Sequence, residues 1–240
     1  PDVNETRLSI AKTYAANENW SDAASSYYEF YNDAPETATR EQITRARLAH
    51  ARMLEAQNDQ RRANRIYEET VAEYQTVVEG GGEPGAYTNY VAEMLYALAL
   101  PKLEAFVALE LSGCDCTNQS REDRALTGSL TAKGEGLVRT EAMFVEIVGT
   151  GSGKFGLASL VQMGRAYENM GDTLANGDIP FYLTPSQEDI YKLRIEDQVY
   201  PQRDKAAQAY SAALGKAFEL TLYDANTALA VRRLGELDPE

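Results

Sequence analysis

Residues 149–155, Gly149-Thr150-Gly151-Ser152-Gly153-Lys154-Phe155, are the part of this chain that looks most like a site for chemistry. A phosphate-binding loop needs Gly, four residues, Gly-Lys and then Ser or Thr, so that backbone N–H groups cradle the phosphates and a hydroxyl reaches magnesium. Here Val148 stands in the first Gly position and Phe155 in the hydroxyl position. Residues 141–148 read as helix where such a loop needs a strand, so a Gly-rich turn between helices is expected. His50 is the only histidine and sits between Ala49 and Ala51, with no nucleophile motif around any Ser or Cys. It reads as a packing residue. Cys114 and Cys116 have one residue between them, where redox-active dithiols have two. They are too close for an easy mutual bridge, and free thiols in a surface loop are expected, with a disulfide or a metal contact as the alternative. Asp115, Glu122 and Asp123 lack calcium-loop spacing, and two Cys with one His are too few for a four-ligand Cys/His zinc site. The acidic pairs at 68–69, 122–123, 188–189 and 196–197 read as solvated helix faces. The expectation is therefore no catalytic residue, no cofactor and no metal.

The elements that would carry these residues all read as helix. Apolar residues recur at three- and four-residue steps, Ala, Glu, Leu, Arg and Gln dominate, and β-branched runs are absent. A first helix carries Leu8, Ala11 and Ala15 and breaks at Asn17-Glu18-Asn19, where Asn19 or Ser21 can cap the next. That second helix ends at Asp33-Ala34-Pro35. A second pair spans about 39–57 and 60–79, turning at Asn58-Asp59. Residues 80–85, Gly80-Gly81-Gly82-Glu83-Pro84-Gly85, form the strongest breaker, either a hinge or a wide loop. Longer helices follow at about 86–111, with a kink at Pro101, 121–148, and 154–176, with an interruption at Gly171-Asp172. After a loop, Ser186 and Asp189 suggest a capping box, and helices run over about 187–199, 201–220 and 224–237. That makes about ten helices in short antiparallel hairpins.

Two of these hairpins repeat each other. Tyr14, Ala23 and Tyr27 align with Leu54, Ala63 and Tyr67 at an offset of 40, and Leu160, Gly164 and Tyr167 match in part. A small residue lets two helices approach, and an aromatic fills the gap between hairpins. These residues resemble the tetratricopeptide repeat, with Arg7 and Arg47 in its Trp position, Gln75 in its closing Pro position, and a period longer than its usual one. The resemblance implies an all-α fold, an α-solenoid of antiparallel helix hairpins. It would be a single helical-repeat domain over 1–240, with regular repeats over 1–79, the Gly-rich segment 80–85, and irregular longer helices over 86–240. The C-terminal run, from Tyr200-Pro201-Gln202 through residues 205–220 to Leu237-Asp238-Pro239, resembles large repeat proteins of the gliding-motility machinery of myxobacteria. That implies a non-catalytic, envelope-associated or periplasmic assembly factor.

In such a repeat the first helix lines a concave groove, and the residue two before the Tyr/Leu signature points into it. That slot holds Lys12, Arg52 and Arg165, with Arg45 also on a first helix. The expectation is a local basic stripe for an acidic or carboxylate-bearing segment of a partner protein, without the Asn partners of the chaperone-type carboxylate clamp. With 37 acidic against 23 basic residues and a net charge of −14, nucleic acid and anionic lipid are poor partners. No apolar run is long enough to cross a bilayer, so no membrane insertion of this segment is expected. The chain opens at Pro1-Asp2-Val3-Asn4 without an initiator Met, as a processed piece would. The alternative reading is a small-molecule or enzymatic pocket in residues 86–185.

Overall fold

A computed structural model describes residues 3–82, 85–114 and 116–237. Among them are nine α-helices and no strand: α1 (Val3–Ala16), α2 (Trp20–Asn32), α3 (Arg40–Ala56), α4 (Gln60–Glu79), α5 (Thr88–Val107), α6 (Gln119–Gly149), α7 (Gly153–Asn176), α8 (Pro185–Leu220) and α9 (Ala225–Leu237). Helices pack on their sequence neighbours, α1 to α4 in one series and α6 to α9 in another, which is the packing of an α-solenoid. The chain divides into two compact units between Leu98 and Ala99, inside α5.

In the first unit the turn between α1 and α2 recurs 40 residues later between α3 and α4. Glu18 and Asn58 both take left-handed backbone, with φ of 58° and 61°. Their N–H groups donate to the Ala15 and Glu55 carbonyls at 3.0 and 2.8 Å. The next N–H groups, of Asn19 and Asp59, donate to Tyr14 and Leu54 at 3.0 and 2.8 Å. This double closure satisfies the last carbonyls of each first helix. Asn19 and Asp59 then turn their side chains forward, accepting the N–H groups of Asp22 and Arg62 to start the second helices.

The same register places Ala23 and Ala63 with no exposed surface, and Tyr27 and Tyr67 buried beside them. Leu8, Ala11, Ala23, Tyr27, Phe30 and Ala46 form one cluster, while Leu54, Ala63, Tyr67, Val71, Tyr87 and Val91 belong to another. Because Tyr87 and Val91 join the second cluster, the segment after Gly80 is a loop within the first unit. Glu83 and Pro84 lie outside the described residues, as do Pro1, Asp2, Asp115 and residues 238–240. Tyr14 differs from its counterpart Leu54: it is 39% exposed where Leu54 is buried.

In the second unit α7 is central, packing against α6, α8 and α9. Gly164 faces the Tyr210 ring so closely that a Cβ would clash with it, so here the small residue and its aromatic come from different helices. Three details differ from the sequence-based expectation. The helix α7 runs unbroken through Gly171-Asp172, where Gly171 is buried on the face that packs on Val199 and Gln202 of α8. A single 36-residue helix, α8, replaces the two expected on either side of Pro201. Proline removes one N–H, but burial of Val199, Ala206, Ala209, Tyr210 and Ala213 holds both sides in one line. The capping box is Thr184 with Gln187, not Ser186 with Asp189, and Pro185 occupies the first turn.

Candidate functional site

Lys12, Arg45 and Arg52 line one concavity of about 500 Å³ in the first unit. Lys12 and Arg52 stand one repeat period apart on α1 and α3. Arg45 and Arg52 are seven residues apart, which puts them on one face of α3. Leu8, Tyr27, Met53 and Tyr90 supply the apolar part of the wall. Burial pushes the Tyr27 phenol up from its usual pKa, so it is a neutral hydroxyl at physiological pH.

The charge pattern is not the expected basic stripe. The Arg45 Nη2 donates to both carboxylate oxygens of Glu5, at 2.6 and 2.7 Å, and Glu5 also accepts from Gln42 Nε2 at 2.9 Å. Arg52 donates to Glu93. The wall therefore alternates acid and base, and Lys12 is an exposed cation that makes none of the described ion pairs. Glu5 and Glu93 were missed because each lies far along the chain from its arginine, 40 and 41 residues away. The signal that locates them is the repeat itself, since residues one period apart stand side by side on successive first helices. Arg165 belongs to the second unit, where it grips Glu104 through two bonds of 2.6 and 3.0 Å. That grip holds the Glu104 carboxyl below its usual pKa.

Comparison with protein-family models, curated proteins and solved structures finds no match. The chemistry of the site must then be read from its own geometry. In residues 149–155, Gly151 takes a φ of +79° and Gly153 admits the Leu220 side chain at a distance no Cβ would tolerate. Lys154 lies over the Phe155 ring, 5.3 Å from its centre. These glycines serve a turn and a close helix contact, with α6 leading into the segment instead of a strand.

His50 shares a hydrogen bond of 2.9 Å with Tyr31 through Nδ1, beside a concavity of about 650 Å³ that Tyr28 and Arg62 also line. Burial, aided by the charge of Arg62, lowers its pKa to about 4, so the ring is neutral near pH 7. The expectation of free thiols at Cys114 and Cys116 is corrected: the two are joined in a disulfide. Their Cα atoms are 5.3 Å apart, within the bridging range, because the loop brings the two side chains together despite the short spacing. Asp115, considered above as a calcium ligand, lies outside the described residues.

The second unit has a concavity of about 590 Å³ lined by Leu174, Ile179, Tyr191, Ile195 and Val199, with Lys192 and Arg203 at its polar edge. It also buries Lys133 completely, which nothing in the local sequence Ala132-Lys133-Gly134 announces.

Proposed function

We propose that this chain is a non-catalytic scaffold of the tetratricopeptide-repeat kind, taking a segment of a partner protein into the concavity of its first unit. We place it in a cell-envelope assembly, of which a gliding-motility machine is the example its sequence resembles, on the periplasmic side. The observation that carries the reading is the wall formed by Lys12, Arg45, Arg52, Tyr27 and Tyr90. It combines exposed Lys12 and Arg52, half-buried Arg45 and Tyr90, and fixed carboxylates in one concavity, a composition suited to a peptide with both acidic and apolar side chains.

The internal ion pairs do not exhaust the arginines. A guanidinium has five N–H donors in a fixed fork, and the described bonds of Arg45 to Glu5 use only Nη2. A partner carboxylate can then bind the remaining donors while Glu5 holds the side chain in place. Glu5 and Glu93 reject a purely acidic tract and favour a segment in which acidic residues alternate with others. Affinity capture from native envelope, followed by binding measurements on the purified partner segment, tests this. Lys12→Glu should weaken binding by about 0.5–2 kcal/mol, the sum of a lost exposed pair and a new repulsion. Equal affinity would move the site to another surface.

The second concavity, lined by Leu174, Ile179 and residues from Tyr191 to Arg203, lies only partly within the residues 86–185 of the small-molecule alternative. Its wall includes Tyr200, which is 75% exposed, so it is a surface trough that leaves a small ligand largely in water. A panel of small anions and apolar acids that raised the melting temperature would favour it over the scaffold.

A further inference from the structure

Glu122, in the first turn of α6, is only 4% exposed. Its carboxylate accepts the Cys114 N–H at 2.7 Å and presses so closely on Gly113 that no Cβ would fit there. Among the described residues no Lys or Arg pairs with it. The N-terminal end of the helix offsets part of the charge, but a buried carboxylate ordinarily has a cation close by. Two soft atoms also lie close to that charge. Sγ of Cys114, Sγ of Cys116 and a carboxylate oxygen of Glu122 all lie within 4.8 Å of one another.

We propose that Cys114, Cys116 and Glu122 form a redox-gated site for a thiophilic divalent cation of the zinc type. Zinc binds thiolate at about 2.3 Å and carboxylate at about 2.0–2.2 Å in a tetrahedron, so the two sulfurs, once the bond between them is broken, must move apart to roughly 4 Å while Glu122 stays within reach of both. Bonded to each other, the sulfurs are closed to metal. A dithiol reductant opens the site. It transfers two electrons and two protons, the S–S bond breaks to two thiols, and the reductant closes to its own disulfide. The cation then displaces both thiol protons to solvent and forms two metal–sulfur bonds and one bond to Glu122, with water as fourth ligand. Counting only Cys and His misses this site, because its third ligand is a buried carboxylate.

The test is cobalt(II) titration of the full chain after reduction with a phosphine and its removal. The reduced protein should show a thiolate-to-cobalt charge-transfer band saturating at one ion per chain, and zinc should displace it. The oxidised protein and the Cys114→Ser/Cys116→Ser variant should show no such band. Glu122→Gln keeps an oxygen to accept the Cys114 N–H but loses the charged ligand, and should weaken cobalt binding at least about ten-fold. Circular dichroism of each variant separates lost binding from lost fold. A reduced, folded wild type without the band, or a folded Glu122→Gln that binds as tightly as the wild type, overturns the proposal.

Discussion

At the scale of single residues, burial changes the chemistry most at Lys133 and His50. The Lys133 ammonium donates to the Phe106 and Leu109 carbonyls at 2.9 and 2.7 Å and to Asn169 Oδ1 at 2.6 Å. It also lies 4.3 Å from the Phe106 ring centre. All three donors are used, and they hold the C-terminal end of α5 to α6 and α7. Lys133→Met leaves these acceptors buried without a donor and should cost about 1–3 kcal/mol in urea unfolding; an unchanged midpoint would count against that role. Burial lowers the Lys133 pKa from 10.5 to about 8, against the opposing pull of Glu110. Between those values the unfolded state holds the proton more tightly. Stability should therefore rise as pH increases from about 8 towards 10.5, and the rise should be missing in Lys133→Met. His50 runs over a different window. Its folded pKa of about 4 lies below the ordinary 6.5, so stability should fall as pH drops from 6.5 towards 4, when the unfolded ring protonates first. As the only histidine it is the one imidazole ring to follow by NMR; a titration midpoint near 6.5 would contradict its burial.

At the scale of helices, the offset of 40 is a structural period as well as a sequence one. The turn residues, the doubly closed carbonyls and the buried alanines all recur at that spacing. Ala23→Leu and Ala63→Leu should each overpack a helix pair and cost about 1–3 kcal/mol by thermal or urea unfolding. Unchanged stability in both would mean that the alanines do not set the helix spacing. These features were legible in the sequence because each depends on residues within one or two turns of one another. Asn19 and Asp59 cap from three residues away, and Ala23 and Tyr27 share a face at four-residue spacing. The run of α8 through Pro201 was not legible. A proline signals a break locally, and only the side chains buried on both sides of it outweigh that signal.

At the scale of the molecule, a net charge of −14 sets a repulsive field for any acidic partner. Local contacts at Lys12, Arg45 and Arg52 must supply the attraction within a Debye length, about 10 Å at 0.1 M salt. The association rate of such a segment should increase as salt is raised from low ionic strength, the reverse of steering by a basic surface. Stopped-flow measurement across a salt series checks this, and a rate that falls steeply with salt would show that the local cations govern the encounter.

The sequence by itself determined the helical class, the two matching turns and the small-and-aromatic packing pairs of the first unit. It also excluded a phosphate loop at residues 149–155, since Val148 and Phe155 occupy two required positions. All of these are written in spacings of a few residues, where backbone geometry and side-chain type decide the outcome. Tertiary structure alone decided which charges meet. Glu5 neutralises Arg45 across 40 residues, Lys133 reaches the Phe106 carbonyl across 27, and Glu168 takes Arg233 across 65. The physical reason is that an ion pair or a buried hydrogen bond depends on which helix faces lie side by side. That arrangement comes from packing the whole helical series, so no short stretch of residues carries it.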